Sequence, residues 1–300
     1  MGKVGNHGIS QDEQNQRYLE ERKNHYESVV KKLTIMDDVF MRNVLKKKSC
    51  TEYILQIIMG EKNLRVIDQV LQKDYKNLQG KSAILDCVAV NAEGKEINVE
   101  FQHEDQGASP KRARYHSGLL DMNTLEPGQD FSKLPESYVI FITRGDVLGY
   151  GLPIYHVERK IEEVEKNFKD EAHIIYVTGS NRADTELGRL MHDLNCKNPS
   201  EMHSAILAER VYELKETPEG VEIMCNEMQK ILDEGIEIGT ERGIEKGIKK
   251  GIEQGIEQGI EKGIKLCQGF GSSRELAKHK IMEEFSLSAE QAEEKLNLYW

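Results

Sequence analysis

The order of patterns along this chain predicts an α/β fold: helices, a β-hairpin, a helix, then further strands in succession. Two observations carry that expectation. Residues 84 to 102, ILDCVAVNAEGKEINVEFQ, have strand chemistry on both sides of a turn containing Asn91 and Gly94. Further on, YVIFIT at 138–143 and HIIYVT at 173–178 are short runs rich in β-branched and aromatic residues.

The remaining elements follow from local chemistry. Residues 10–33 are polar, with Tyr26, Val29, Val30 and Leu33 forming the modest apolar stripe of a surface helix. A second helix spans 37–59 through Val39, Phe40, Val44, Leu45, Ile54, Leu55 and Ile58, with a possible interruption at 46–51. A looser stretch through Tyr75 and Gly80 leads into the hairpin. Ser109-Pro110 has the chemistry of an N-cap followed by proline at the first helical position, opening a helix to about residue 125 that Pro127-Gly128 stops. Between the two later strands, 153–157 reads as a short strand and 158–168 as a charged helix. Residues 184–216 return to helix.

From Gly235 the composition changes. Glycine recurs every four residues at 235, 239, 243, 247, 251, 255, 259 and 263, mostly followed by Ile and a charged residue. A four-residue step overshoots a helical turn by about 40°, so the Gly and Ile stripes drift around the axis. Each interior glycine costs a helix about 1 kcal/mol relative to alanine. The segment is therefore either a labile spacer or a helix whose cost is offset by close packing on the glycine stripe. Residues 273–297 form a short helical cap, with Leu276, Ile281, Phe285 and Leu287 as its apolar positions. The expected division is 1–35 N-terminal helical segment, 36–180 core, 181–234 helical region, 235–266 repeat and 267–300 cap.

The hairpin carries the chemistry. A three-residue loop of Ala92, Glu93 and a left-handed Gly94 sets Val90 opposite Glu96, Val88 opposite Asn98, Asp86 opposite Glu100 and Ile84 opposite Gln102. One face then holds Leu85, Cys87, Ala89, Ile97, Val99 and Phe101, apolar throughout, and becomes core. The other brings Asp86, Glu100 and Gln102 together beside Asn98. A four-residue loop would place the two acids on opposite faces and spoil the apolar one. Facing carboxylates repel unless a cation or a shared proton compensates, and Mg²⁺ suits such a site. The alternative is the ordinary polar face of a half-solvated hairpin.

The whole chain bounds the function. With 300 residues, 38% hydrophobic and 31% charged, it has enough length for a sizeable core and an extension. No apolar run approaches the ~20 residues of a membrane span, and the N-terminal run is too polar for a secretory signal. Five dispersed cysteines without a C-x-x-C pair argue against a disulfide framework or a zinc site and for a reducing, cytoplasmic setting. A net charge of −11 counts against a generic nucleic-acid coat. A chain so acidic must concentrate its cations near a nucleic-acid site, and Lys111, Arg112 and Arg114 are the candidates.

An acid on one strand and E-x-Q on its partner, between helices, resembles the PD-(D/E)XK nuclease superfamily. More narrowly the chain is similar to the Rpn-type recombination-promoting nucleases, or PD-(D/E)XK nuclease family transposases. The likeness runs from MDDVF at 36–40 through PKRARY at 110–115, LEPG at 125–128 and GLPIY at 151–155 to about Gly179, and the Gly-Ile-Glu repeat is a habit of the same group. It implies a restriction-endonuclease-like core between a helical N-terminal segment and a helical C-terminal extension. It also implies a Mg²⁺-dependent DNA endonuclease, linked to recombination or mobile elements. Asp86 and Glu100 would be its metal ligands, and Gln102 would stand where the superfamily more often has Lys. Asp38 matches the family's D-x-F element and is either a site residue or a helix N-cap. Arg112 and Tyr115 match its segment on the following helix. Gln102 lacks a fixed charge, and His103 follows it where a more basic residue is expected. The rival readings are a catalytically weak or inactive core that binds DNA, and an interaction protein whose repeat mediates homo-oligomers.

Overall fold

The computed structural model describes residues 11–75, 83–102 and 105–300. The chain divides into two compact units, residues 1–229 and 230–300. In the first, helices α1 (Gln11–Val30), α2 (Asp38–Leu45) and α3 (Lys48–Met59) precede strands β1 (Val66–Tyr75), β2 (Ala83–Asn91) and β3 (Glu96–Gln102). Helix α4 (Pro110–Thr124) then leads to β4 (Ser137–Thr143), β5 (Ile154–Val157), the short strands β6 (Lys160–Ile161) and β7 (Lys166–Asn167), and β8 (Ala172–Thr178). Helices α5 (Glu186–Asn195) and α6 (Ala205–Glu216) follow. The six-stranded sheet has the order β1-β2-β3-β4-β8-β5. Its middle is parallel, β3 to β4 to β8, and its flanks are antiparallel.

Both sheet faces are covered by helices, as α/β layering requires. On one, Cys87, Ala89, Ile97, Val99, Ile140, Ile142, Ile175 and Val177 pack with residues of α2, α3, α5 and α6. On the other, Val88, Val139, Phe141 and Tyr176 pack with Ala113, Leu119 and Leu120 of α4. Leu85 departs from its expected face: it joins Val88 under α4 and not Cys87. The alternation therefore breaks between Leu85 and Val88, at Asp86. Buried Lys215 on α6 donates to the carbonyls of Lys31, Leu33 and Lys197. It ties α6 to the segment entering α2.

The hairpin register is the one the pattern demands. Val90 pairs with Glu96 and Val88 with Asn98, and Gly94 has φ +83°. Asn91 secures the loop, its Oδ1 accepting from the amides of Glu93 (3.1 Å) and Lys95 (2.9 Å).

Two elements differ from expectation. The stretch before the hairpin is not loose up to Tyr75: it holds β1, an edge strand. Only Val66 and Tyr75 of its ten residues are buried, so no alternation announces it. Residues 158–168 are not a helix but the β6–β7 ribbon with a 3₁₀ turn at Glu162–Val164. Ile161, Val164 and Phe168 have helical spacing, yet all three are exposed. A helix that short needs a buried face to form, and here there is none.

In the second unit the repeat is helical. It lies within α7 (Pro218–Gly269), which ends before α8 (Arg274–Phe285) and α9 (Ala289–Tyr299). Ile260 and Ile264 of α7 form a small core with Ala277, Ile281, Ala292 and Leu296. Of the expected apolar cap positions, Ile281 is buried and Leu276 is exposed. The glycine stripe is used at one end: a Cβ on Gly259 would meet the Phe285 ring at 3.0 Å, whereas Gly235 to Gly255 face open space. Gly251→Ala is therefore expected to stabilise the helix by about 1 kcal/mol, and Gly259→Ala to lose most of that gain against Phe285. Thermal melts of the two variants followed by circular dichroism check the difference; equal gains contradict the packing.

Candidate functional site

The site forms where β2 and β3 stop pairing. Their ladder runs to Cys87–Val99, and continuing the register puts Asp86 opposite Glu100. At that point each carboxylate takes an amide of the other strand. Asp86 Oδ2 accepts from the Phe101 amide at 3.0 Å, and Glu100 Oε1 accepts from the Asp86 amide at 3.3 Å. Asp86 is missing from the β1–β2 ladder as well, which holds Leu71–Cys87 and Lys73–Leu85 but not the pair between them. Two acids thus stand in for backbone hydrogen bonds in the middle of a sheet.

The alternative of an ordinary half-solvated face does not hold at Glu100 and Asn98, which are enclosed. Glu100 and Asn98 are fully buried, and α4 lies over them. Asn98 Nδ2 donates to Glu100 Oε1 at 3.0 Å. From α4, Arg112 Nη2 lies 3.6 Å from Glu100 Oε2 and His116 Nδ1 lies 3.5 Å from Oε1. Arg112 Nε also donates to His116 Nε2 at 3.2 Å, fixing the two side chains against each other at i, i+4 spacing. The start of α4 is set by Ser109, whose hydroxyl accepts the Arg112 amide at 3.3 Å. Even so, Glu100 Oε2 and His116 Nδ1 are buried without a hydrogen-bond partner. Glu100 Oε2 thus has the Arg112 guanidinium at ion-pair distance but no hydrogen-bond donor of its own, a buried polar atom that calls for a further partner.

Electrostatics agree with that geometry. The Asp86 carboxyl is pushed up to about 7, first by burial and then by the facing charge of Glu100, with Asp38 adding to it. The Phe101 amide and Gln72 pull in the opposite direction.

The other sequence candidates are placed as follows. Asp38 is not the N-cap of α2; that position is Asp37. Asp38 is exposed in the first turn, paired with Arg42 at 2.8 Å and reached by Gln72 Nε2 at 3.4 Å. Gln72 Nε2 also donates to Asp86 Oδ1 at 3.2 Å, which links Asp38 to the pair. The Gln102 side chain lies against the bare Cα of Gly107, so closely that no Cβ fits there, with Arg112 alongside. Lys111 and Arg114 are exposed on α4 while Arg112 turns inward. Tyr115 is partly exposed, and His103 lies outside the described residues. Gln72 and His116 were not candidates. The spacing of Arg112 and His116 was a signal for the latter, whereas the irregular edge strand concealed the former.

With that geometry in place, comparison identifies the core. Residues 40–186 match the family model described as PD-(D/E)XK nuclease family transposase. This stretch belongs to that family, with its nuclease-type α/β fold, and nucleases of the family generally use divalent metal ions. No curated protein and no solved structure matches the chain. Among the described residues no helix is long and apolar enough to cross a membrane.

The raised carboxyl has a consequence for stability. In the folded chain Asp86 binds a proton more tightly than the ordinary carboxylate of the unfolded chain. Between about pH 4 and 7 the folded state therefore holds more protons, so stability falls as pH rises through that window and levels off above it. In chelator, Asp86→Asn is expected to be more stable than wild type at pH 8 by on the order of a few kcal/mol, measured by denaturant unfolding, and close to it at pH 4. A variant no more stable than wild type at pH 8 contradicts the buried repulsion.

Proposed function

We propose that this chain is a divalent-cation-dependent endodeoxyribonuclease, with Mg²⁺ held by Asp86 and Glu100. The observation that carries the reading is the facing carboxylate pair, half-buried at Asp86 and fully buried at Glu100, whose Oε2 accepts no hydrogen bond. The donor set is all oxygen and anionic, which fits a hard cation. When bound, such an ion supplies an acidified water and charge neutralisation at the phosphate.

The chain's own residues supply the rest. Asp86 gives up its proton and, with Glu100, offers the ligand oxygens. Gln102, held beside Gly107, donates an N–H to a phosphate oxygen or orients the attacking water. It cannot supply the charge of the more usual Lys, and Arg112 beside it brings a fixed cation to the same place. His116 keeps Arg112 oriented. Lys111 and Arg114 on the outer face of α4 contact flanking phosphates, a local basic patch on an acidic chain. Asp38 contributes a third carboxylate at the edge of the site.

A second reading accompanies the first. Ile236, Ile244, Ile248, Ile252 and Ile256 are 44 to 58% exposed along the repeat, beside glycines facing open space. That drifting stripe suits a second copy of the same helix coiled along it and supports a homo-oligomer. A cytoplasmic role in recombination or mobile-element processes fits the transposase-associated family.

Two outcomes are expected. Supercoiled plasmid is nicked with Mg²⁺ and spared with chelator, and Asp86→Ala lowers the rate at least ~100-fold, the scale of losing a metal's contribution; equal cleavage by the variant refutes the reading. Replacing Lys111 and Arg114 together with Ala weakens DNA binding and lowers its log–log salt slope by about 2, measured by fluorescence anisotropy. An unchanged slope removes the patch.

A further inference from the structure

Among the described residues, Gln72 is the non-glycine residue that lies inside a strand and yet has a left-handed backbone, φ +52°. The others with positive φ, Glu165, Lys169, Glu171 and Ser286, lie outside the strands. This is not a register slip, because Leu71–Cys87 and Lys73–Leu85 flank it in one unbroken register. The pair removed from the ladder is Gln72 with Asp86. A conformation of this kind persists where its surroundings hold it, and it concentrates at functional sites.

Here the side chain shows what holds it. The Gln72 amide nitrogen has two hydrogens, and it lies within hydrogen-bond distance of two carboxylates from different elements: Asp86 Oδ1 on β2 at 3.2 Å and Asp38 Oδ1 on α2 at 3.4 Å. Among the described residues, the other side-chain partner of Asp38 is Arg42 of its own helix. Two like charges drift apart unless a donor joins them. A neutral amide joins them without adding a positive charge that would compete with an incoming ion.

We propose that Gln72 is a positioning residue for the cation site, its left-handed backbone turning the side-chain amide to bridge Asp38 and Asp86. The proposal rests on the cation-binding reading of the carboxylate pair. Outer-shell partners of metal ligands act in this way, and their loss typically lowers metal affinity by 10- to 100-fold.

The test uses Tb³⁺, a luminescent hard cation, titrated into the full-length wild type, Gln72→Ala, Gln72→Gly and Asp86→Ala. Both Gln72 variants lack the bridge, but only glycine adopts the left-handed backbone without a Cβ clash. Gln72→Gly is therefore expected to melt above Gln72→Ala, while both bind Tb³⁺ about 10-fold more weakly than wild type. The bound-ion lifetime in H₂O relative to D₂O should shorten in both, as water replaces a displaced carboxylate. Wild-type affinity and lifetime in both variants overturn the proposal. So does recovery of wild-type affinity in Gln72→Gly alone, because the strand and not the amide is then what matters. If Asp86→Ala itself leaves Tb³⁺ binding unchanged, the cation reading falls; if only the Gln72 variants behave as wild type, that reading stands and the positioning role falls.

Discussion

The mutual repulsion of Asp86 and Glu100 is the constraint around which the α/β core is arranged. Two carboxylates on facing positions of adjacent strands destabilise a sheet unless something occupies the space between them. In this chain the sheet yields there. Asp86 leaves both of its ladders, and each acid accepts an amide from the opposite strand. Asn98, Gln72 and the Phe101 amide supply neutral donors, while Arg112 and His116 reach in from α4. These contacts hold the acids in place but do not fully satisfy them, since Glu100 Oε2 has Arg112 at 3.6 Å yet accepts no hydrogen bond. The core gives up sheet hydrogen bonding to keep a buried, under-compensated anionic pair, a choice that is costly unless an ion is bound.

The packing explains how so polar a spot survives. Apolar strands flank it, with Phe141 and Tyr176 stacked at 5.6 Å on the α4 face and Ile140, Ile142 and Val177 on the other. The parallel register sets Glu100 beside Phe141, whose ring lies 5.7 Å from that of His116. The enclosed surroundings strengthen every electrostatic interaction at the pair. The C-terminal unit obeys a different logic. Its glycines let an aromatic ring approach α7 closely at Gly259, and elsewhere leave a row of isoleucines in solvent.

Much of this was legible in the sequence, and the reasons are local. The hairpin register followed from Asn91, Gly94 and an apolar face that holds over Cys87, Ala89, Ile97, Val99 and Phe101, with Leu85 leaving it, because a one-residue slip flips every side chain. Ser109-Pro110 marked the start of α4, and the two later strands announced themselves by composition. Four things were hidden. Strand β1 has an edge position and almost no buried face, so its sequence lacks alternation. The β6–β7 ribbon carries helical spacing that nothing rewards. Gln72 depends on a backbone angle that glutamine rarely adopts, and no spacing rule encodes it. The enclosure of Glu100 was also invisible, since it arises from α4 crossing the sheet face.

Anomalous scattering from crystals soaked in Mn²⁺ tests the central claim most directly, because it locates the ion without relying on turnover. A strong peak bound by carboxylate oxygens of both Asp86 and Glu100 is expected. An empty site between them, with the Mn²⁺ peaks confined to surface acids and the Phe101 amide still bonded to Asp86, would contradict it.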